Sequence, residues 1–227
     1  MNVTDDKTEV REYFNATGFD RWRRIYGDGD VNKVQLDIRT GHQQTVDTLL
    51  GWLKADANLA EITICDAGCG VGSLSIPLAQ EGATVFSSDI SEKMVGEGKE
   101  RAAALGLRDN PTFVVSDLED LTGKYHTVVC LDVLIHYPTE QAIDMIKHLA
   151  SLADKRVVLS FAPKTFLLTI LKKIGEFFPG PSKTTRAYQH READIIQVLE
   201  ACEFKIQRKA MTSTRFYFSR MLEAVRD

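Results

Sequence analysis

From Glu61 onward, short runs rich in β-branched residues alternate with segments whose apolar positions recur at helical spacing. The runs "ITICDAG", "ATVFSSD", "PTFVVSD", "HTVVCLD" and "RVVLSFA" read as strands. Ser73 to Gln80, Ser91 to Leu105 and "TEQAIDMIKHLASLA" read as helices, with Ser91 as an N-cap. Ala187 to Cys202 predicts a further helix, and "EFKIQRK" and "TRFYFSRMLE" predict two closing strands. Strands separated by helices imply parallel pairing through right-handed crossovers, hence a doubly wound α/β sheet. Only Ala210 to Ser213 separate the two closing strands, too few residues for a crossover, so the last strand is predicted antiparallel.

Two segments fall outside this alternation. Residues 1–58 form a helical N-terminal arm ahead of a sheet domain at 59–227, dense in aromatic and basic side chains at "REYFNATGFDRWRRIYG". Within the insertion at 162–187, "PKTFLLTILKKIGEFFPGPSKTTR" far exceeds the usual ~2–6 residue connection, which marks it for a function of its own. A length of 227 residues with 44% hydrophobic and 26% charged content suits one large domain or a domain with an appendage. The net charge of -4, without a Lys/Arg stripe, offers nothing to draw in nucleic acid. The polar start "MNVTDDKTEVRE" resembles neither a signal nor a transit peptide, and no apolar run approaches the ~20 residues of a membrane span. A soluble, cytoplasmic protein is expected. Cys65, Cys69, Cys130 and Cys202 lack metal-binding spacing and read as reduced thiols, and no metal site is predicted.

The candidate chemistry gathers at the strand ends. The turn Asp66-Ala67-Gly68-Cys69-Gly70-Val71-Gly72 breaks the dinucleotide fingerprint, because its third glycine would fall at Ser73. A carboxylate ahead of the loop is awkward beside a pyrophosphate but suits the ammonium and sulfonium of S-adenosylmethionine, whose amino-acid end the glycines admit. Asp89, followed by Ile90, ends the second strand, where it can accept from ribose hydroxyls. Asp117 with Leu118 suits an adenine amino group and its apolar face, and Asp132 falls near the reactive methyl. Any one of these acids reads equally well as a helix cap or turn residue. Together with the glycine loop they form a constellation at the carboxyl ends of the strands.

This pattern resembles the Rossmann-like S-adenosylmethionine-dependent methyltransferases, which implies their seven-stranded sheet. An [D/N]PP[Y/F] tetrad would mark amino-group chemistry, but "DVLIHYP" stands in its place, and no acid cluster for a catalytic Mg²⁺ is evident. The stretches "YFNATGFDRWRRIYGD", "IRTGHQQTVDTLLGWL", "DVLIHYP", "FAPKT" and "FYFSRMLE" resemble the magnesium-protoporphyrin IX O-methyltransferases of chlorophyll biosynthesis. That resemblance implies methyl transfer to a propionate of Mg-protoporphyrin IX, the one on ring C, leaving S-adenosylhomocysteine. Mg²⁺ then enters only as part of the substrate.

A propionate is already ionised at neutral pH, so alignment rather than a general base is needed. On this reading Tyr13 and Tyr26 of the arm hydrogen-bond or cover the methionine end, and Arg23 or Arg24 pairs with its carboxylate. His136 is an axial ligand to the substrate's Mg²⁺, a hydrogen-bond donor that positions the porphyrin plate, or a cap on the following turn, with Tyr137 as a second positioning group. Phe166, Leu167, Ile170, Leu171, Ile174, Phe177 and Phe178, with Lys164, Lys172 and Lys173, make the insertion a packing helix, a substrate lid or a membrane-surface contact. A magnesium chelatase subunit is a candidate partner, and peripheral contact with a photosynthetic membrane stays open. The rival functions are methylation of another carboxylate or hydroxyl metabolite, a non-catalytic sensor or carrier, and NAD-dependent oxidoreduction.

Overall fold

In the computed structural model, residues 3–164 and 188–227 are described. Three helices come first, α1 (Val3–Asn15), α2 (Thr17–Ile25) and α3 (Lys33–Asp56). Asn32 starts α3 with a capping box, its side chain accepting from Gln35 N while the Gln35 side chain accepts from Asn32 N. The alternating part follows as β1 (Thr63–Ala67), α4 (Ser75–Gln80), β2 (Thr84–Asp89), α5 (Glu92–Ala104), β3 (Thr112–Val115) and β4 (Tyr125–Cys130). It continues with α6 (Thr139–Leu152), β5 (Ala153–Phe161), α7 (Glu192–Ala201), β6 (Lys205–Ser213) and β7 (Phe218–Val225). The insertion's apolar positions and Lys172 and Lys173 lie outside the described residues.

The seven strands form one sheet in the order β3-β2-β1-β4-β5-β7-β6. β1 to β5 pair in parallel, and β7 runs antiparallel to both β5 and β6. Period-two alternation splits the core into two layers. Cys65, Val128 and Val157 pack with Met145, Ile146 and Leu149 of α6 and Ile195 and Leu199 of α7. Their neighbours Ile64, Val129 and Val158 pack with Val46, Leu49 and Leu53 of α3 and Leu78 of α4.

Two predicted boundaries shift. The final helix begins at Glu192 rather than Ala187, because Tyr188 N and His190 N donate to Ile135 O and Ala162 O at 2.7 and 2.9 Å instead of starting a helix. The closing hairpin turns later than Ala210 to Ser213, since those residues pair with Met221, Arg220, Ser219 and Phe218. The reversal falls after Ser213, where Asp37 of α3 accepts from Phe216 N and Thr214 Oγ1, both at 2.7 Å. α3 thereby carries the tip of the hairpin.

α1 is fastened to the segments that follow β2 and β3. Ser91 Oγ, the cap of α5, donates to Asn15 Oδ1 at 2.8 Å, and Lys7 pairs with Asp117 at 3.4 Å and with Glu119. Among the described residues no helix is long and apolar enough to cross a membrane.

Candidate active site

At the carboxyl end of the parallel strands lies a cavity of about 380 Å³, within the ~300–1,000 Å³ range of small-ligand sites. Its floor includes Gly68, Gly70, Asp89, Ile90, Asp117, Leu118, Asp132, His136 and Tyr137, and the arm contributes Tyr13 and Tyr26. The structure thus brings together most of the residues expected from sequence.

The glycine loop has distinct demands at its positions. Gly68, Gly70 and Gly72 all have φ between 52° and 85°, a region that L side chains rarely adopt. A Cβ on Gly68 would lie 2.2 Å from Val133 Cγ2, and one on Gly72 would lie 2.9 Å from Phe113 Cζ. A Cβ on Gly70 would meet nothing within 4 Å. Gly68 and Gly72 therefore serve the turn and its packing, whereas Gly70 leaves room that a ligand can use. Gly70→Ala should keep the fold at a backbone cost of ~1–2 kcal/mol. It should weaken S-adenosylhomocysteine binding about tenfold, measured by calorimetric titration beside a thermal melt.

Five expected site residues are placed elsewhere. Ala67 is fully buried in the core, and Gly72 packs on Phe113. Arg23 points away, with its guanidinium 5.7 Å from the Phe19 ring and 3.8 Å from Glu97, because its helix presents Arg21 and Trp22 to the cavity instead. Arg24 donates to Asp20 O at 3.1 Å. Asp66 is 2% exposed and lies beneath the loop rather than on the cavity wall, accepting from Ser75 Oγ, which accepts in turn from Ser87 Oγ.

Burial pushes the Asp66 carboxyl up to about 6 against the opposing Ser75 hydrogen bond. A raised folded-state value stabilises the fold fully below the ordinary carboxylate pKa, and this contribution is lost as pH rises through about 6. Asp66→Asn should therefore melt above the parent protein at pH 8 and converge with it at pH 4. If the buried charge also favours the sulfonium, the variant should lose affinity for S-adenosylmethionine but not for the uncharged thioether product.

Asp89 is better placed to meet a ligand. It lines the cavity while Oδ2 accepts from Gly70 N at 2.9 Å and Oδ1 from Ser91 N at 2.8 Å. Burial raises its pKa against these donors. Asp117 caps the following 3-10 turn through Glu119 N at 3.2 Å, and Leu118 beside it is 7% exposed. The capping reading of Asp117 is thus correct without excluding a ligand role, since it also borders the cavity.

Asp132 has φ 57° and a full set of partners. Oδ2 meets His42 Nδ1 at 2.9 Å and Tyr217 Oη at 2.7 Å, and Oδ1 meets Ser160 Oγ at 2.9 Å and Ser219 Oγ at 3.2 Å. Burial acts to raise its pKa, but the His42 hydrogen bond and charge, with Tyr217 and Ser160, outweigh it and hold the carboxyl low. An ionised Asp132 only accepts, which fixes the proton of His42 on Nδ1.

His136 Nδ1 is buried without a hydrogen-bond partner among the described residues, and its ring meets Phe14 edge-on at 5.3 Å. Burial pushes its pKa down to about 4, so the imidazole is neutral at physiological pH. Tyr26 and Tyr137 have pKa values raised by burial and remain phenols. Sequence reasoning missed Phe14, Arg21, Trp22, His42 and Tyr217 as cavity residues. For His42 a signal existed: it continues the buried row Val46, Leu49, Leu53 by one helical turn, a polar residue on an apolar stripe. Tyr217 lies in a hairpin with no such periodicity.

The strand order, the glycine loop and the acids around one cavity define a Rossmann-like, S-adenosylmethionine-dependent methyltransferase. Residues 64–155 match the methyltransferase domain family, and residues 130–226 match the family described as magnesium-protoporphyrin IX methyltransferase C-terminus. A magnesium-protoporphyrin O-methyltransferase from Synechocystis is 70% identical over 98% of this chain and 97% of its own. The chloroplastic magnesium protoporphyrin IX methyltransferase of Arabidopsis thaliana is 62% identical over 97% of this chain and 71% of its own. A crystal structure of the Synechocystis enzyme with bound S-adenosylhomocysteine superposes with a TM-score of 0.91 at 67% identity, covering 97% of this chain and 100% of that one. The chain belongs to the magnesium-protoporphyrin IX methyltransferase family.

Proposed function

We propose that the chain transfers the methyl group of S-adenosylmethionine to a propionate carboxylate of Mg-protoporphyrin IX, giving the monomethyl ester and S-adenosylhomocysteine. The observation that carries this reading is similarity along nearly the whole chain, at 70% identity, to a relative named for that substrate. It extends through the C-terminal region that supplies His136, Tyr137 and Tyr217 to the cavity.

The residues present fit the cofactor. Space above Gly70 admits its amino-acid end, Asp89 offers acceptors to the ribose, and Asp117 and Leu118 border the place for adenine. When bound, S-adenosylmethionine supplies an electrophilic methyl group on a sulfonium. Tyr13 and Tyr26 close the cavity from the arm, and Tyr26, kept protonated, donates a hydrogen bond into it. The aromatic wall of Phe14, Trp22 and Tyr26 excludes water, which favours a step in which opposite charges cancel. No group need remove a proton from an ionised propionate. The chain's contribution is alignment, worth up to ~7–11 kcal/mol when the reacting atoms are held in line.

Neutral His136, which lines the cavity, is the positioning group for the porphyrin, as a ligand to its Mg²⁺ or a hydrogen-bond partner. His136→Ala should lower turnover of Mg-protoporphyrin ~10- to 100-fold while leaving S-adenosylhomocysteine affinity unchanged. A metal-ligand role predicts a larger loss in binding Mg-protoporphyrin than metal-free protoporphyrin, read from the porphyrin absorption band. The reading as a whole is tested by incubating the purified chain with Mg-protoporphyrin IX and methyl-labelled cofactor. Labelled ester by mass spectrometry supports it, and labelling of a smaller acid alone sinks it. Substrate delivery by a magnesium chelatase subunit and peripheral contact with a photosynthetic membrane belong to the same reading, and co-sedimentation with each tests them.

A further inference from the structure

We infer that Arg39 of α3 and Arg101 of α5 form a two-sided clasp that fixes Tyr26 and Trp22 over the cavity, acting as positioning residues for methyl transfer. The inference rests on the reading of this cavity as the methyl-transfer site.

A helix cannot satisfy all of its last four carbonyls, and Gly27 after α2 is not in the left-handed region; the backbone reaches only Trp22 O from Tyr26 N at 2.9 Å and Arg24 O, at 3.3 Å, from Gly27 N. Two guanidinium groups satisfy those at its end. Arg101 Nη1 donates to Tyr26 O at 2.5 Å and Arg101 Nη2 to Arg23 O at 3.1 Å. Arg39 Nε donates to Ile25 O at 2.8 Å, and Arg39 Nη2 donates to Arg24 O at 2.7 Å and to Gly29 O at 2.9 Å. The two cations also sit at the negative end of the helix dipole. Arg101 is itself oriented by Glu97, whose Oε1 accepts from its Nε at 2.8 Å. The fit is close: a Cβ on Gly27 would stand 3.0 Å from Arg23 O and 3.5 Å from Arg101 Nη2.

What the clasp holds is functional. Tyr26 stacks on Trp22 at 5.4 Å and packs on His42 at 4.4 Å, and all three rings line the cavity. α2 spans only Thr17–Ile25, too short to be stable by itself, so its placement depends on what grips it. Arg39 and Arg101 come from two different helices, and their bonds to the end of α2 and the turn after it go to backbone oxygens alone. They therefore set the position of α2 without entering the cavity. Arginine suits the task because one planar fork meets several carbonyls, whereas lysine presents a single point of charge.

The test uses the full chain with Arg39→Met, Arg101→Met, both together, and each arginine replaced by lysine. The chain contains two tryptophans, Trp22 and Trp52, so a Trp52→Phe background leaves Trp22 as the sole tryptophan emitter. Three quantities are read beside a thermal melt: turnover of Mg-protoporphyrin, the dissociation rate of S-adenosylhomocysteine, and iodide quenching of Trp22. Each Met variant should lower kcat/KM about tenfold, with the double variant lower still. Product should leave roughly tenfold faster, and Trp22 should become several-fold more quenchable, while the main melting transition moves little. The lysine variants should recover part of each loss. The clasp is overturned if turnover, product release and quenching in the double variant stay within twofold of the parent, or if they change only in step with the melt. Should the double Met variant fail to fold, the single lysine variants decide by the same readings. A parent protein that forms no ester would sink the functional reading, while product release and quenching would still decide the clasp.

Discussion

Replacing Asp132 by alanine should destabilise the protein by ~3–5 kcal/mol and abolish most methyl transfer. The carboxylate collects His42, Tyr217, Ser160 and Ser219, which come from α3, the closing hairpin, β5 and β7. Removing it takes the shared acceptor from all four in a partly buried place, although Thr45 Oγ1 at 3.2 Å remains as a second acceptor for Tyr217 Oη, and removing one member of such a network costs about that much. At ~2–4 °C per kcal/mol for a chain of this size, the melt should fall by roughly 10 °C. Alanine also keeps the unfavourable left-handed backbone at φ 57°, so Asp132→Gly should be less destabilising than Asp132→Ala by ~1 kcal/mol. Because the folded-state pKa of Asp132 is depressed, its stabilisation is present above the ordinary carboxylate value of ~3.9 and is lost as pH falls below it. The difference between parent and Asp132→Ala should therefore narrow in acid. Equal melts at pH 7 would mean that the network is not holding the cavity wall.

The backbone plan was legible because it rests on local signals. β-branched runs ending in Asp66 and Asp89, glycines in a tight turn and a serine cap at Ser91 each act within a few residues of themselves. The cavity was only partly legible, because a strand end says where a side chain begins but not what it meets. Asp66 and Asp89 both fall near the carboxyl ends of neighbouring strands, yet the register sets Asp66 opposite Ser87, two residues short of Asp89, so one is covered by Ser75 and the other borders the cavity. Helix phase decides between Arg21 and Arg23, and a single step along α2 moves a side chain by about 100°. Residues such as His42 and Tyr217 become site residues only when α3 and the hairpin meet at Asp37, a contact 177 residues apart in sequence for Thr214. The helical phase of His42 marks the face it shares with Val46, Leu49 and Leu53 but not what that face meets, and the hairpin around Tyr217 has no such periodicity.

Replacing Asp89 by alanine should weaken cofactor binding about 100-fold or more, the larger part of it through lost contacts to the ligand. A hydrogen bond to a charged acceptor contributes ~1.5–3 kcal/mol, and each 1.4 kcal/mol is about a factor of ten in affinity. Asp89 has a second duty, since its oxygens hold Gly70 N at 2.9 Å and Ser91 N at 2.8 Å. The variant therefore frees the loop that faces the ligand as well as removing an acceptor. Asp89→Asn grades the two effects: its one carbonyl oxygen keeps one backbone donor while its NH2 cannot accept from the other, so the loop should loosen less than with alanine while the ligand loses a charged acceptor. Affinity for S-adenosylhomocysteine should fall about tenfold for asparagine and about 100-fold for alanine, with the larger drop in melting temperature for alanine. Should both variants bind S-adenosylhomocysteine like the parent, Asp89 would be a loop brace only, and the ribose would have to be held by another side chain of the cavity.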